Sequence, residues 1–147
     1  MEQKTDYPII YGMLCVVISP RLKKLLLLKR APTKKVYPNL WAVVGAYPFF
    51  EKVNIHDIAI REIKDELGLH GKVLKVGEEF SKIANLEDKT IELRVTPVIA
   101  SVDSEEITLN DEHTEYKWVD ISELKNFDLA PDIDTAITAL DTEKYAS

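Results

Sequence analysis

Residues 54–68 constrain the chain most, because they spell a helix with both ends marked and one face apolar. Asn54 is a strong N-cap, Asp57 places an acid in the first turn, and Gly68 stops the helix after Leu67. At ~100° per residue, Ile55, Ile58, Ala59, Ile63 and Leu67 share a stripe, while Asp57, Arg61 and Lys64 point the other way. Glu62 and Glu66 do not fall on the solvent side. They stand ~40° apart and flank the direction of Ile55, with Asp65 ~60° beyond Glu62. Two or three acids therefore sit at the buried edge of one helix. Like charges at i and i+4 repel by ~0.2–0.5 kcal/mol even when solvated, and burying an uncompensated carboxylate adds a larger penalty. A hard divalent ion such as Mg²⁺ would offset them, since it takes oxygen ligands and keeps several waters. Lysines or arginines from neighbouring strands would serve equally, and spacing alone leaves the two even.

The other segments supply a sheet for this helix to cover. Residues 9–18 read as a buried strand, Pro20 and Arg21 as a turn, and residues 25–29 as the second strand of a hairpin. A loop over residues 31–39, with Pro32 and Pro38, delivers residues 40–44 to another strand, which Gly45 is expected to break. Alternation predicts strands over residues 73–84 and 90–102, joined near Glu87 and Asp88, and a further strand over 116–119. A short helix begins near Ser122, and the spacing of Ile133, Ala136, Ile137 and Leu140 after Pro131 gives a final amphipathic helix. The order predicts a mixed sheet with helices on its faces, an α/β or α+β sandwich forming a single domain over residues 1–147. The scattered glycines supply no Rossmann or P-loop phosphate loop.

Composition removes several function classes. The net charge of -6 argues against sequence-independent binding of nucleic acid, although Arg21 to Lys35 holds seven basic residues and no acid. Those cations guard an edge strand or attract phosphate. Cys15 is the one cysteine, which fits a reducing, cytoplasmic compartment. No run approaches the ~18 apolar residues that would span a membrane, and the N-terminus shows no export signal.

Residues 61–69, Arg61-Glu62-Ile63-Lys64-Asp65-Glu66-Leu67-Gly68-Leu69, are similar to the second half of the Nudix box, R-E-U-x-E-E-x-G-U with U a bulky aliphatic. Only Asp65 departs, and it remains a carboxylate. The resemblance extends to Arg30 and Trp41 of RAPTKKVYPNLW, to Val44 and Gly45, and to DEHTEYKWVDISEL downstream. The first half of the box is altered: Ala46 follows Gly45, and nine residues separate Glu51 from Arg61, a longer spacer than the family's.

The resemblance implies a Nudix-type α/β/α sandwich with a mixed central sheet. It implies Mg²⁺ or Mn²⁺ on Glu62, Asp65 and Glu66, with Gly45, Glu51, Arg61 and Gly68 as structural members of the box. Glu66 is implied to be catalytic, as is Glu112 as an additional ligand or general base. The implied reaction is hydrolysis of a pyrophosphate bond in a nucleoside diphosphate linked to another group. A module that binds a nucleotide or partner protein without hydrolysis is the main alternative, with an isomerase or decapping-like relative as a third. Arg30 is a candidate phosphate contact, and Trp41 and Tyr47, with Phe49 and Phe50, are candidates for stacking on the substrate. Phe49 and Phe50 also leave a homodimer contact open.

Overall fold

Four consecutive leucines, Leu25 to Leu28, are all fully buried, which a strand permits only when both of its faces are covered. The computed structural model describes residues 7–49 and 53–146, and both covers are present among them. Phe50 and Glu51 lie outside the described residues, so the expectations placed on them go no further. The strands are β1 (Ile9–Ser19), β2 (Lys24–Arg30), β3 (Trp41–Ala42), β4 (Val44–Phe49), β5 (Gly71–Val76), β6 (Phe80–Asn85), β7 (Thr90–Val102) and β8 (His113–Val119). The helices are α1 (Ile55–Leu67), α2 (Ile133–Ala139) and α3 (Thr142–Ala146), and a 3-10 turn occupies Ile121–Asn126.

The sheet is mixed, with β1 parallel to β7 and the remaining pairs antiparallel. Its main path runs β3-β2-β1-β7-β5, with β4 also on β1, β6 on β7 and β8 on β2. Alternate side chains divide the core. Leu25, Leu27, Val16, Ile18 and Ile99 pack with Ile133, Ile137 and Leu140 of the α2 region. Leu26, Leu28, Met13, Cys15 and Val17 pack with Ala59, Ile63 and Leu67 of α1. The expected sandwich is thus present.

Two expectations about strands need correction. Gly45 does not end its run: β4 continues through it to Phe49, paired with β1 at Leu14↔Gly45 and Met13↔Ala46. Sheet pairing overrides the glycine, and a Cβ there would come within 3.2 Å of the Met13 carbonyl oxygen. Residues 73–84 are two strands rather than one, because the Gly77 amide bonds to the Pro97 carbonyl at 2.8 Å and the chain bends before β6.

What places the site is a fork. β1 pairs with β2 only at Ile18↔Leu25 and Ser19↔Lys24, then pairs with β4 from Cys15 to Tyr11. The strands part between these registers. A cleft of about 560 Å³ is lined there by Met13, Val43 and Gly45, by Glu66 from α1 and by His113 from β8.

Candidate active site

Helix α1 begins and ends where its local chemistry requires. The Asn54 side chain accepts from the Asp57 amide at 3.1 Å, and Gly68 closes the C-terminus at φ 71° with its own amide bonded to the Lys64 carbonyl. The helix buries Ala59, Ile63 and Leu67 against the sheet, and this direction ranks the acids. Measured from Ala59, Glu66 lies ~20° away, Glu62 ~60° and Asp65 ~120°. Their exposure follows that order: Glu66 is 2% exposed, the Glu62 side chain 17%, and Asp65 is open to solvent. The structure therefore brings together Glu66 and Glu62 and does not bring Asp65 to them.

Glu66 is the unusual group. Its Oε2 is buried without a hydrogen-bond partner. Burial, followed by the charges of Glu112 and Glu62, pushes its carboxyl up to about 9, with the backbone of Gly45 pulling the other way. His113 stands beside it, with Nδ1 3.7 Å from Oε1 and neither ring nitrogen hydrogen-bonded. Burial lowers the His113 imidazole to about 4, outweighing the attraction of Glu112. A neutral imidazole and a protonated acid at that separation are not an ion pair. Buried polar atoms in folded proteins nearly always find partners, so three orphaned atoms in one place make this the candidate position for a bound group.

Glu112 approaches from the loop before β8. Burial works to raise its carboxyl, but the amide of Asn110 and the ammonium of Lys34, with help from His113, outweigh that and hold it below the usual range. Lys34 Nζ lies 3.3 Å from Oε1, and Asn110 Nδ2 donates to Oε2 at 3.2 Å. Glu112 is therefore ionised at neutral pH. The basic run from Arg21 to Lys35 reaches the same cleft, which Arg30, Lys34 and Lys35 line. Arg30 is fixed by its Nε donating to the Val36 carbonyl at 2.9 Å.

The remaining site expectations divide. Gly45 and Tyr47 line the cleft, with Tyr47 52% exposed. Trp41 does not line it: its ring packs edge-on against Phe127 at 5.4 Å and belongs to the core on the α2 side. Its ring is partly buried there, where β3 pairs at the sheet edge and joins Leu129. Arg61 is exposed and holds Glu62 at 3.3 Å. Phe49 packs on the α1 side of the core. Sequence reasoning missed His113, Asn110 and Lys34; the first two sit beside Glu112 in the same acidic segment, and the third lies in the basic run.

Among the described residues no three acids, histidines or cysteines stand ready as a metal cluster. The donors nevertheless fit a hard ion. Mg²⁺ commonly uses one or two carboxylates and keeps its waters, and an orphaned Oε2 beside a half-buried Glu62 is a donor set of that kind. No helix among the described residues is long and apolar enough to cross a membrane.

Comparison with known proteins agrees. The family model of the NUDIX domain matches residues 10–140. The chain is 28% identical over 111 residues to the nucleoside triphosphatase NudI of Klebsiella pneumoniae, covering 71% of this chain and 78% of that protein. It is 30% identical over 112 residues to an isopentenyl-diphosphate Delta-isomerase of Escherichia coli, covering 74% of this chain but only 61% of the isomerase. The fold matches a MutT protein from Methanosarcina mazei with a TM-score of 0.72 at 18% identity, over 96% of this chain and 99% of that one. From its helix of acids at a forked sheet to the family model that spans nearly all of it, the chain belongs to the NUDIX domain family of hydrolases.

Proposed function

We propose that this domain hydrolyses a diphosphate linkage in a nucleoside diphosphate derivative, using Mg²⁺ or Mn²⁺ held by Glu66 and Glu62. The carrying observation is the buried Glu66 carboxyl with its orphaned Oε2, pressed by Glu62 and Glu112 and faced among the described residues by the neutral imidazole of His113 rather than by a lysine or arginine. A helix that buries a carboxylate this way is destabilised unless a cation relieves it. When bound, the ion supplies neutralisation of phosphate oxygens and a lowered pKa of water. Arg30, Lys34 and Lys35 draw the phosphates into the cleft and offset their charge. Glu112, ionised and at the mouth of the site, accepts the proton of the attacking water on its carboxylate. Tyr47 offers its ring to the organic part of the substrate.

The two relatives, an isopentenyl-diphosphate isomerase and a nucleoside triphosphatase, are both named for substrates with linked phosphates. The test is a panel of nucleoside triphosphates, ADP-ribose, dinucleoside polyphosphates, nucleotide sugars and isopentenyl diphosphate, each with and without Mg²⁺. Release of phosphate or nucleotide that requires the ion and disappears in Glu66→Gln supports the reading. A flat panel with nucleotide still bound points instead to a binding module.

A further inference from the structure

The loop that carries Glu112 is not free to choose its distance from α1. Its first anchor is backbone: the Thr108 amide donates to the Leu67 carbonyl at 3.0 Å. The second is the Asn110 side chain, whose Nδ2 donates to the Asp65 carbonyl at 3.2 Å and to Glu112 Oε2 at 3.2 Å. Its Oδ1 meanwhile accepts from the Glu112 amide at 3.0 Å. One planar amide thus uses both donors and one acceptor lone pair, joining an orphan carbonyl at the end of the acid-bearing helix to the carboxylate facing it.

We propose that Asn110 is a positioning residue that sets Glu112 at its working distance from Glu66 by clamping the Glu112 carboxylate to the C-terminal turn of α1. The inference rests on the proposed hydrolysis. The chemistry selects asparagine. Aspartate has no donor and would set a third negative oxygen against Glu112 and the Asp65 carbonyl. Alanine loses every bond. Serine keeps an acceptor for the Glu112 amide but cannot supply both donors. Lys34 holds the other oxygen of Glu112. A substrate phosphate competes for that ammonium, whereas Asn110 is engaged by the helix and stays in place.

The test uses the full chain and whichever panel substrate it hydrolyses. Asn110→Ala and Asn110→Ser are expected to lower kcat about 10- to 100-fold, the usual loss when a supporting partner of an active-site group is removed. KM should stay within about two-fold, since the phosphate-binding cations are untouched. Thr108→Ala trims the same loop where it packs against Gly68, and should shift the thermal midpoint while leaving kcat within about two-fold. Adding Asn110→Ala to Glu112→Gln should cost nothing more, because the clamp then has no carboxylate to hold. A wild-type kcat in Asn110→Ala overturns the proposal, as does an equal loss in Thr108→Ala or a fully additive double variant. Failure of the underlying reading looks different. There the wild-type chain turns over no panel member, or Glu66→Gln is as active as wild type, and the positioning role falls with it.

Discussion

Four polar side chains are buried among the described residues, and they form two contrasting pairs. Ser19 accepts the Leu22 amide at 3.1 Å in the β1–β2 turn, and Thr142 donates to the Ile137 carbonyl at 2.9 Å where α2 gives way to α3. Both are satisfied by chain only a few residues away. Glu66 and His113 come from elements far apart in sequence, meet at 3.7 Å, and leave three atoms without partners. The first pair finishes turns. The second loads the fold with unmet polarity, which is what a binding site for something outside the chain requires.

The sharpest way to break this contrast is Glu66→Gln. Hydrolysis should fall by on the order of 1,000-fold or more, because the amide removes an anionic ligand. Stability of the metal-free protein at pH 8 should move the other way. With the folded carboxyl raised from 4.5 to about 9, the wild-type fold loses about 1.4 kcal/mol for each pH unit across that interval. Glutamine escapes this, so its thermal midpoint should rise by on the order of 10 °C. A variant that loses stability at pH 8 would place Glu66 among the structural polar groups.

The same linkage predicts how an added ion behaves. A raised acid stabilises the fold fully below 4.5 and loses that contribution as pH climbs through about 9. The ion needs ionised Glu66 and displaces its proton, so its apparent affinity rises by up to about tenfold per pH unit below 9. His113 has its folded value depressed to about 4, so its penalty appears only as pH falls below 6.5. Of these two groups, only Glu66 contributes between pH 6.5 and 8.5. The rise in thermal midpoint on adding 5–10 mM Mg²⁺, roughly a saturating level for a weak site, should therefore be larger at pH 8.5 than at 6.5. Equal gains at both values would mean that the ion does not meet this carboxylate.

The two pairs also differ in how far they can be read from sequence. Helix α1 was legible to the residue because its cap, stripe and glycine stop are local signals, and the angular order of Glu66, Glu62 and Asp65 follows from the same wheel. The wheel leaves Asp65 at the margin of that edge and the motif joins it to the other two by identity, whereas its exposure depends on where the sheet lies. The strand through Gly45 and the break at Gly77 were not legible: pairing with β1 holds the first, and contact with Pro97 on β7 makes the second. His113, Asn110 and Lys34 acquire meaning only when β8, its loop and the basic run converge on the fork.

Gly68→Ala tests whether the helix end matters to the site or only to the fold. The position has φ 71°, and an added Cβ would stand 3.3 Å from the Thr108 Cβ. Left-handed backbone strain should remove about 1–2 kcal/mol of stability. Since Thr108 can yield by a few tenths of an ångström, kcat should stay within about three-fold of wild type. A far larger loss of activity than of stability would show that Thr108 cannot yield without carrying the Glu112 loop away from its anchors on this turn.

The smallest effect belongs to Thr142→Ala, and it isolates the structural pair. The hydroxyl bonds one carbonyl at the end of α2, so its removal leaves a single acceptor to find water and should cost about 1 kcal/mol. A chain of this size then melts about 2–4 °C lower. Thr142 is not among the residues that line the cleft, so kcat and the pH-dependent gain with Mg²⁺ should match wild type. The contrast with Glu66→Gln is then one of sign as well as size: the satisfied group gives up stability and keeps activity, and the orphaned one gives up activity and gains stability. A Thr142→Ala protein with altered metal response would mean that the α2 side of the sheet transmits strain to the fork, and the two pairs would no longer be independent.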